Sequence, residues 1–301
     1  MSSRDIDLRL LLTQVWKDKL LIIFFVTIFA ITSVIAALSL ENLYRSDIKL
    51  YPNESSGSDI SSMSSQLGGL ASLAGVELGG GDNKVNLAIQ TLKSREFISR
   101  FINKYNLKAA IIAEEHWDFN SNVLFYDQEM YNSEKELWVR EVTKPFKVTP
   151  SDQEAYKEFI ENHLILREEA DVGIWVLTIE HISPYIAQEI ATNLVKEINS
   201  QIRQSDMEEA EASLLILQGA LKNVELVDMK NMLFELIQQN AQKKLLAEVR
   251  EEYVFRVVDP AIVPEIKYSP SRALLCVIGT FLGFVIGIFI SVTRCILQSE
   301  R

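Results

Sequence analysis

Two uncharged apolar runs near the ends of the chain constrain it more than anything else in its 301 residues. Leu20 to Leu40 reads LLIIFFVTIFAITSVIAALSL and Ala273 to Thr293 reads ALLCVIGTFLGFVIGIFISVT, each 21 residues without a charge. A helix of that length rises ~31 Å, which matches the roughly 30 Å hydrocarbon core of a bilayer. The first run holds 14 Leu, Ile, Phe or Val residues, and on an insertion scale these favour the membrane by about −4 to −8 kcal/mol. Arg4, Arg9, Lys17 and Lys19 precede it and Ala37-Leu38-Ser39 has the small residues of a cleavage site. The apolar core of a cleaved signal is only about 7–15 residues, however, so retention as an anchor is expected.

The expected organisation is a head (1–19), a first span (20–40), a central domain (41–272), a second span (273–293) and a tail (294–301). Four basic residues in the head and Arg294 and Arg301 in the tail put both termini in the cytoplasm by the positive-inside rule, and so export the central domain. That domain holds 24 basic and 37 acidic residues, a net −13. Such a charge repels nucleic acid and polyanionic headgroups, which excludes mechanisms built on gripping phosphate backbones.

Chemistry is poorly supported. Both cysteines, Cys276 and Cys295, lie in or just after the second run, so the exported domain has no disulfide framework. His116, His163 and His181 have no second ligand at helical spacing, and the Glu114, Glu115, His116, Asp118 cluster lacks the rest of a metal shell. GxSxG, GxxxxGK[ST] and HExxH are absent. The reading is a non-enzyme with no catalytic, metal or cofactor residues.

Within the central domain, Tyr44 to Tyr51 alternates as a half-buried strand, ended by Pro52. A Ser/Gly-rich stretch from Ser56 reads as loop, and helical patterns follow from Lys84 to Tyr105. Ser151 to Glu154 matches a capping box before a short helix. Leu164–Glu168 and Ile174–Glu180 read as a hairpin whose turn uses Gly173 at positive φ. Ser183-Pro184 then starts a long helical region, 184–250. Ile186, Ile190, Leu194, Ile198 and Ile202 make its buried stripe, whereas Arg203 to Ala212 is polar on nearly every side and predicts projection into solvent. A last strand, Tyr253 to Val258, forces this region to double back between Asn223 and Asp228. The fold class is α+β: terminal transmembrane helices flank a four-stranded split βαβ, ferredoxin-like base with a protruding long-helix hairpin.

Three segments carry a family resemblance: DIDLRLLLTQVWKDK before the first span, SSQLGGLASLAG after the first strand, and EVREEYVFRVVDPAIVPEIKYSPSRALL before the second span. Together they resemble the Wzz-type chain-length determinants, polysaccharide co-polymerases of the bacterial inner membrane. The proline-rich lead-in to the second span matches through Pro260, Pro264, Ser269 and Pro270. The resemblance implies a periplasmic base with a helical projection and a ring-like homo-oligomer. It also implies a Wzy-type O-antigen polymerase as partner, with contact to the growing lipid-linked glycan. Only eight residues follow Thr293, so the kinase domain of some family members is not expected, which favours lipopolysaccharide O-antigen. A two-span periplasmic sensor and a regulator of another lipid-linked polysaccharide are the alternatives.

Gly279, Gly283 and Gly287 recur every four residues and would let a second helix approach one face of the second span; frequent glycine in membrane helices is the plainer explanation. The prolines make a stiff lead-in or a plain connector. Leu67, Gly68, Gly69 and Leu70 mark an assembly loop or a locally packed one.

Overall fold

The computed structural model describes residues 16, 18–53 and 81–299, side chains of 81–83 and 295–299 apart. Leu67 to Leu70 lie outside the described residues. The chain divides into two units, 1–43 with 266–301 and Tyr44–Glu265.

In the first unit, α1 (Lys19–Ser39) pairs with the helix that begins at Arg272 and runs to Ser299, called α8 below. Both are long and apolar enough to cross a membrane. Just before α8, Leu43 and Ser269 form an antiparallel bridge, Leu43 N–H donating to Ser269 O at 2.9 Å and Tyr268 N–H to Leu43 O at 2.8 Å.

The second unit mixes helix and sheet. Its strands β1 (Tyr44–Pro52), β6 (Leu164–Glu169), β7 (Ile174–His181) and β8 (Phe255–Asp259) form one antiparallel sheet ordered β6-β7-β1-β8. Register runs Tyr44 opposite His181 to Leu50 opposite Trp175, so the Gly173 turn, at φ 65°, is at the far end of the sheet from Tyr44. Alternation along β1 buries Ser46, Ile48 and Leu50 on one face. On the other, Arg45 ion-pairs with Glu180 at 2.5 Å and Thr178 donates to Asp47, cross-strand contacts of the kind that pin register. Pro52 is the last residue of β1 and pairs with Phe255; Tyr253, expected to open the last strand, lies before it.

Helices cover the apolar face. The pattern from Lys84 to Tyr105 is two helices, α2 (Gly81–Leu92) and α3 (Arg95–Lys104), because Ser94 caps the second by accepting from Phe97 N–H. Short α4 (Lys108–Ile112) follows. Then come two small antiparallel ladders, β2 (Glu114–Asp118) with β3 (Val123–Tyr126) and β4 (Tyr131–Asn132) with β5 (Leu137–Trp138), which periodicity does not reveal. The capping box is formed at α5 (Asp152–Glu158), and a π-turn, Phe159–His163, leads into β6. Arg140 ties the irregular stretch before α5 to it, donating to Val148 O, Lys147 O and Glu154 Oε2 within 2.9 Å.

Long α6 (Pro184–Leu221) starts with Ser183 accepting from Ile186 N–H, and α7 (Val227–Val249) returns. Ile190, Leu194, Ile198 and Ile202 are buried in a core with Leu50, Leu92, Ile98, Phe101, Leu177 and Phe255. Asn199 serves the adjoining strand: its Oδ1 accepts from Val254 and Phe255 N–H and its Nδ2 donates to Phe255 O, all within 2.9 Å. The two histidines that look isolated in sequence pack their rings 5.6 Å apart and serve the last carbonyls of α4. His181 Nε2 lies 2.9 Å from Ala110 O, and His163 Nε2 lies 3.3 Å from Ile111 O. Such C-terminal carbonyls have no partner inside the helix.

Candidate functional site

The membrane-length pair is built on glycine. Gly279, Gly283 and Gly287 all face α1: a Cβ on Gly279 would sit 2.3 Å from Ser33 Cβ, and one on Gly283 2.8 Å from Phe29 Cβ. On Gly287 it would lie 3.1 Å from Ile22 Cα. The first two distances are shorter than carbon atoms tolerate, so the missing side chains let the backbones meet. The order of contacts, Ser33 to Gly279 and Ile22 to Gly287, shows the helices antiparallel. Beyond the glycines, Ser291 donates to Asp18 Oδ2 at 2.9 Å and is fully buried.

The proline-rich lead-in divides between the units. In the mixed unit, Pro260 follows β8 and the chain runs on along β1, Ser46 Oγ donating to Ile262 O at 2.8 Å; Pro264 stands near the end of this stretch. In the helical-pair unit, Ser269 makes the backbone bridge to Leu43, its bond to Pro270 is cis, and Asn42 Oδ1 accepts from Lys267 and Arg272 within 3.2 Å. Stiff φ angles suit such a strap, which needs few donors of its own.

At the root of the α6–α7 hairpin the structure assembles a polar cluster the sequence does not reveal. Asp206 Oδ2 accepts from Tyr253 Oη at 2.6 Å and pairs with Lys84 Nζ at 2.7 Å, while Lys243 Nζ lies 3.2 Å from Oδ1. Lys84 also stands over the Tyr253 ring, 4.9 Å from its centroid. Burial opposes ionisation of Asp206, yet the hydrogen bonds from Lys84 and Tyr253 and the charges of Lys84 and Lys243 outweigh it, so its carboxyl is held below the usual range. Burial, then the bond to Asp206, pushes the Tyr253 phenol well up. Asp206 falls within the stretch expected to project into solvent, but its side chain is only 13 % exposed and nearby Ala210 is fully buried. The correction has a physical cause: α7 and the segment before β8 return against this turn of α6, and polarity in sequence does not say whether partners arrive. The cluster therefore joins α2, α6, α7 and the approach to β8 at one carboxylate.

Farther out, the hairpin changes character. Lys243 and Lys244 of α7 pair with Glu209 and Glu211 of α6 at 2.6 and 2.8 Å. Leu215, Ile216, Leu226, Val227, Met232 and Phe234 are all more than half exposed. Among the described residues no group of three or more His, Cys, Asp or Glu is placed to hold a metal ion.

Two helices long and apolar enough to cross a membrane bracket a mixed helix–sheet unit, an order of elements consistent with a two-span membrane protein that carries one domain between its spans. Residues 4–105 match the family model of Wzz, the chain length determinant proteins. That match covers the first third of the chain, with the first apolar helix and β1, and is a likeness to proteins that determine polysaccharide chain length. Among solved structures it is similar to a full-length bacterial polysaccharide co-polymerase, at 14% identity over 98% of each chain with a TM-score of 0.41. A fragment of WzzB, the polysaccharide co-polymerase from Salmonella Typhimurium, is similar at 12% identity over 76% of this chain and 100% of its own, with a TM-score of 0.32. No curated protein matches the chain.

Proposed function

We propose that the chain is a non-catalytic regulator of O-antigen chain length that works as an oligomeric scaffold beside the polymerase in the bacterial inner membrane. The observation that carries this reading is the match of residues 4–105 to the chain length determinants, a segment holding the first span and the first strand of the domain. In this reading residues 1–19 and 294–301 are cytoplasmic and 41–272 are periplasmic, on the strength of the basic residues at both ends. The sheet is a split βαβ base: β1 and β6 flank β7, each antiparallel to it and hence parallel to one another, which supports the ferredoxin-like reading.

Assembly with further copies of the chain gives the exposed apolar side chains of α6 and α7 a surface to cover, since contiguous apolar exposure on a soluble domain marks an interaction site. The ring-like homo-oligomer then presents many equivalent faces to a Wzy-type polymerase and its lipid-linked glycan. Gly279, Gly283 and Gly287 hold the spans together, Pro260 to Pro270 couples base to membrane, and Leu67 to Leu70 contribute to assembly. The test is the O-antigen length distribution of a deletion strain, with and without this chain supplied in trans. A lost modal band that the chain restores supports the proposal. An unchanged ladder in both strains removes O-antigen as the substrate.

A further inference from the structure

A short hairpin beside the start of β1 carries more exposed aromatic and apolar surface than its own packing explains. Four residues separate the end of α1 at Ser39 from Tyr44, the first residue of β1. A fully extended chain then keeps Tyr44 within about 18 Å of the end of α1, whatever the arrangement of the two units. The other connection, Ile266 to Ser271, is six residues. Tyr44 pairs with His181, so this end of the sheet, and not the Gly173 end, is tethered close to where the apolar helices stop.

Against Tyr44 lies the β2–β3 hairpin. Trp117 packs edge-on to the Tyr44 ring at 5.5 Å and contacts Phe119 at 5.8 Å and Tyr185 at 6.3 Å. Trp117 is buried, whereas Phe119 at the tip is 76 % exposed. Val123 and Phe125, two residues apart and so on one face of β3, are also exposed. The tip is built rather than loose: Asp118 accepts from Asn120 N–H, Ser121 N–H and the Ser121 hydroxyl, and Trp117 Nε1 donates to Asn122 Oδ1 at 3.0 Å. Those bonds hold the Asp118 carboxyl below its usual range and direct its charge back into the turn. The result is a phenylalanine fixed on an outward tip, with tyrosine and tryptophan behind it. Aromatic residues with one apolar and one polar side collect at the level of lipid headgroups.

We propose that the β2–β3 hairpin is a membrane-contact element, with Phe119, Val123 and Phe125 seated at the headgroup–acyl boundary of the leaflet from which the spans emerge. The net −13 of residues 41–272 leaves no electrostatic attraction to an anionic surface, so the contact is apolar and forms on zwitterionic lipid. It would fix the height and tilt of the sheet over the bilayer more firmly than the two short connections alone. The proposal rests on the reading that α1 and α8 span the membrane.

The experiment uses the full chain in phosphatidylcholine proteoliposomes, with Cys276→Ser and Cys295→Ser and a nitroxide at a single introduced cysteine. Collisions with oxygen, which partitions into lipid, are compared with collisions with a water-soluble nickel chelate. A label at Val123→Cys is expected to show a several-fold higher oxygen-to-nickel ratio than one at Val172→Cys, in the turn at the opposite end of the sheet. Adding Phe119→Ser should return the Val123 label toward the value at 172. Equal nickel access at 123 and 172 would overturn the proposal. So would shielding of 123 from both reagents, which would mean that protein covers the hairpin. A label at Ile28→Cys in α1 separates the two readings: water exposure there removes the spans and this proposal together, whereas water exposure at 123 alone removes only the proposal.

Discussion

Among the described residues, α1 with α8 and α6 with α7 form antiparallel helix pairs held by opposite means. In the first, three glycines bring backbones together and a single buried serine reaches a carboxylate. In the second, buried Ala210 and Ala247 are accompanied by the Asp206 cluster and by lysine–glutamate pairs across the helices. On the reading that α1 and α8 span a bilayer, the difference follows from the surroundings. Lipid offers no hydrophobic drive between apolar helices, so close packing must supply the attraction. In water, apolar burial and charge are both available, and exposed charge pairs add only modestly. The lesson is that two pairs of similar geometry should fail under different perturbations.

The largest effect is expected from Gly283→Leu. Even a Cβ there would meet Phe29 Cβ at 2.8 Å and Phe25 O at 3.1 Å, so a leucine must push the helices apart. Disulfide trapping between cysteines placed at Asp18 and Ser291, whose side chains meet across the pair, should fall sharply while the melting of the mixed unit stays put. Undiminished trapping would break the comparison on the membrane side.

Asp206→Asn comes next. Removing the charge leaves the Lys84 ammonium and the Tyr253 hydroxyl without their best acceptor, and a loss of about 2 kcal/mol is expected by denaturant unfolding. The pH dependence has a definite sign. The folded carboxyl titrates below its unfolded value, so its contribution is complete above the unfolded value near 4 and is lost as pH falls through the folded one. The gap between native protein and variant should therefore close under acid, and a gap that widened would contradict the assignment.

Lys244→Gln probes the outer part of α7. Its partners Glu211 and Glu248 are solvent-accessible, so the variant should differ slightly at low salt and become indistinguishable at high salt. The smallest intramolecular effect is predicted for Ile216→Ser with Phe234→Ser, within about 0.5 kcal/mol, because both side chains are already in water in the single chain. Sedimentation of the same double variant should nonetheless show weakened self-association, which sharpens the contrast between the root and the outer hairpin.

Much of this architecture is visible in one-dimensional pattern because its causes are local. The membrane-length runs, the Ser151–Glu154 capping box, the Gly173 turn, the Ser183-Pro184 helix start and the reversal before Asp228 each depend on residues a few positions apart. The stripe from Ile190 to Ile202 likewise needs only a helical period to be legible. The stretch from 106 to 150 defeats this reasoning, since β2 and β3 are five and four residues long and their ladder depends on side chains of Asp118 and Asn122 bonding within a turn. The split of Lys84 to Tyr105 into two helices hinged on one serine cap.

By itself, then, the sequence determined where the chain is apolar enough for a bilayer, where helices begin and end, and which family its first third resembles, because length, period and motif are properties of neighbours along the chain. Tertiary structure alone decided that Asp206 is a partly buried junction rather than a solvated charge, that His163 and His181 finish α4, and that Trp117 joins Tyr44 at the tethered end of the sheet. Each of these depends on groups distant in sequence arriving at one point, and burial, which sets the strength of a charge or a ring contact, exists only once they have arrived.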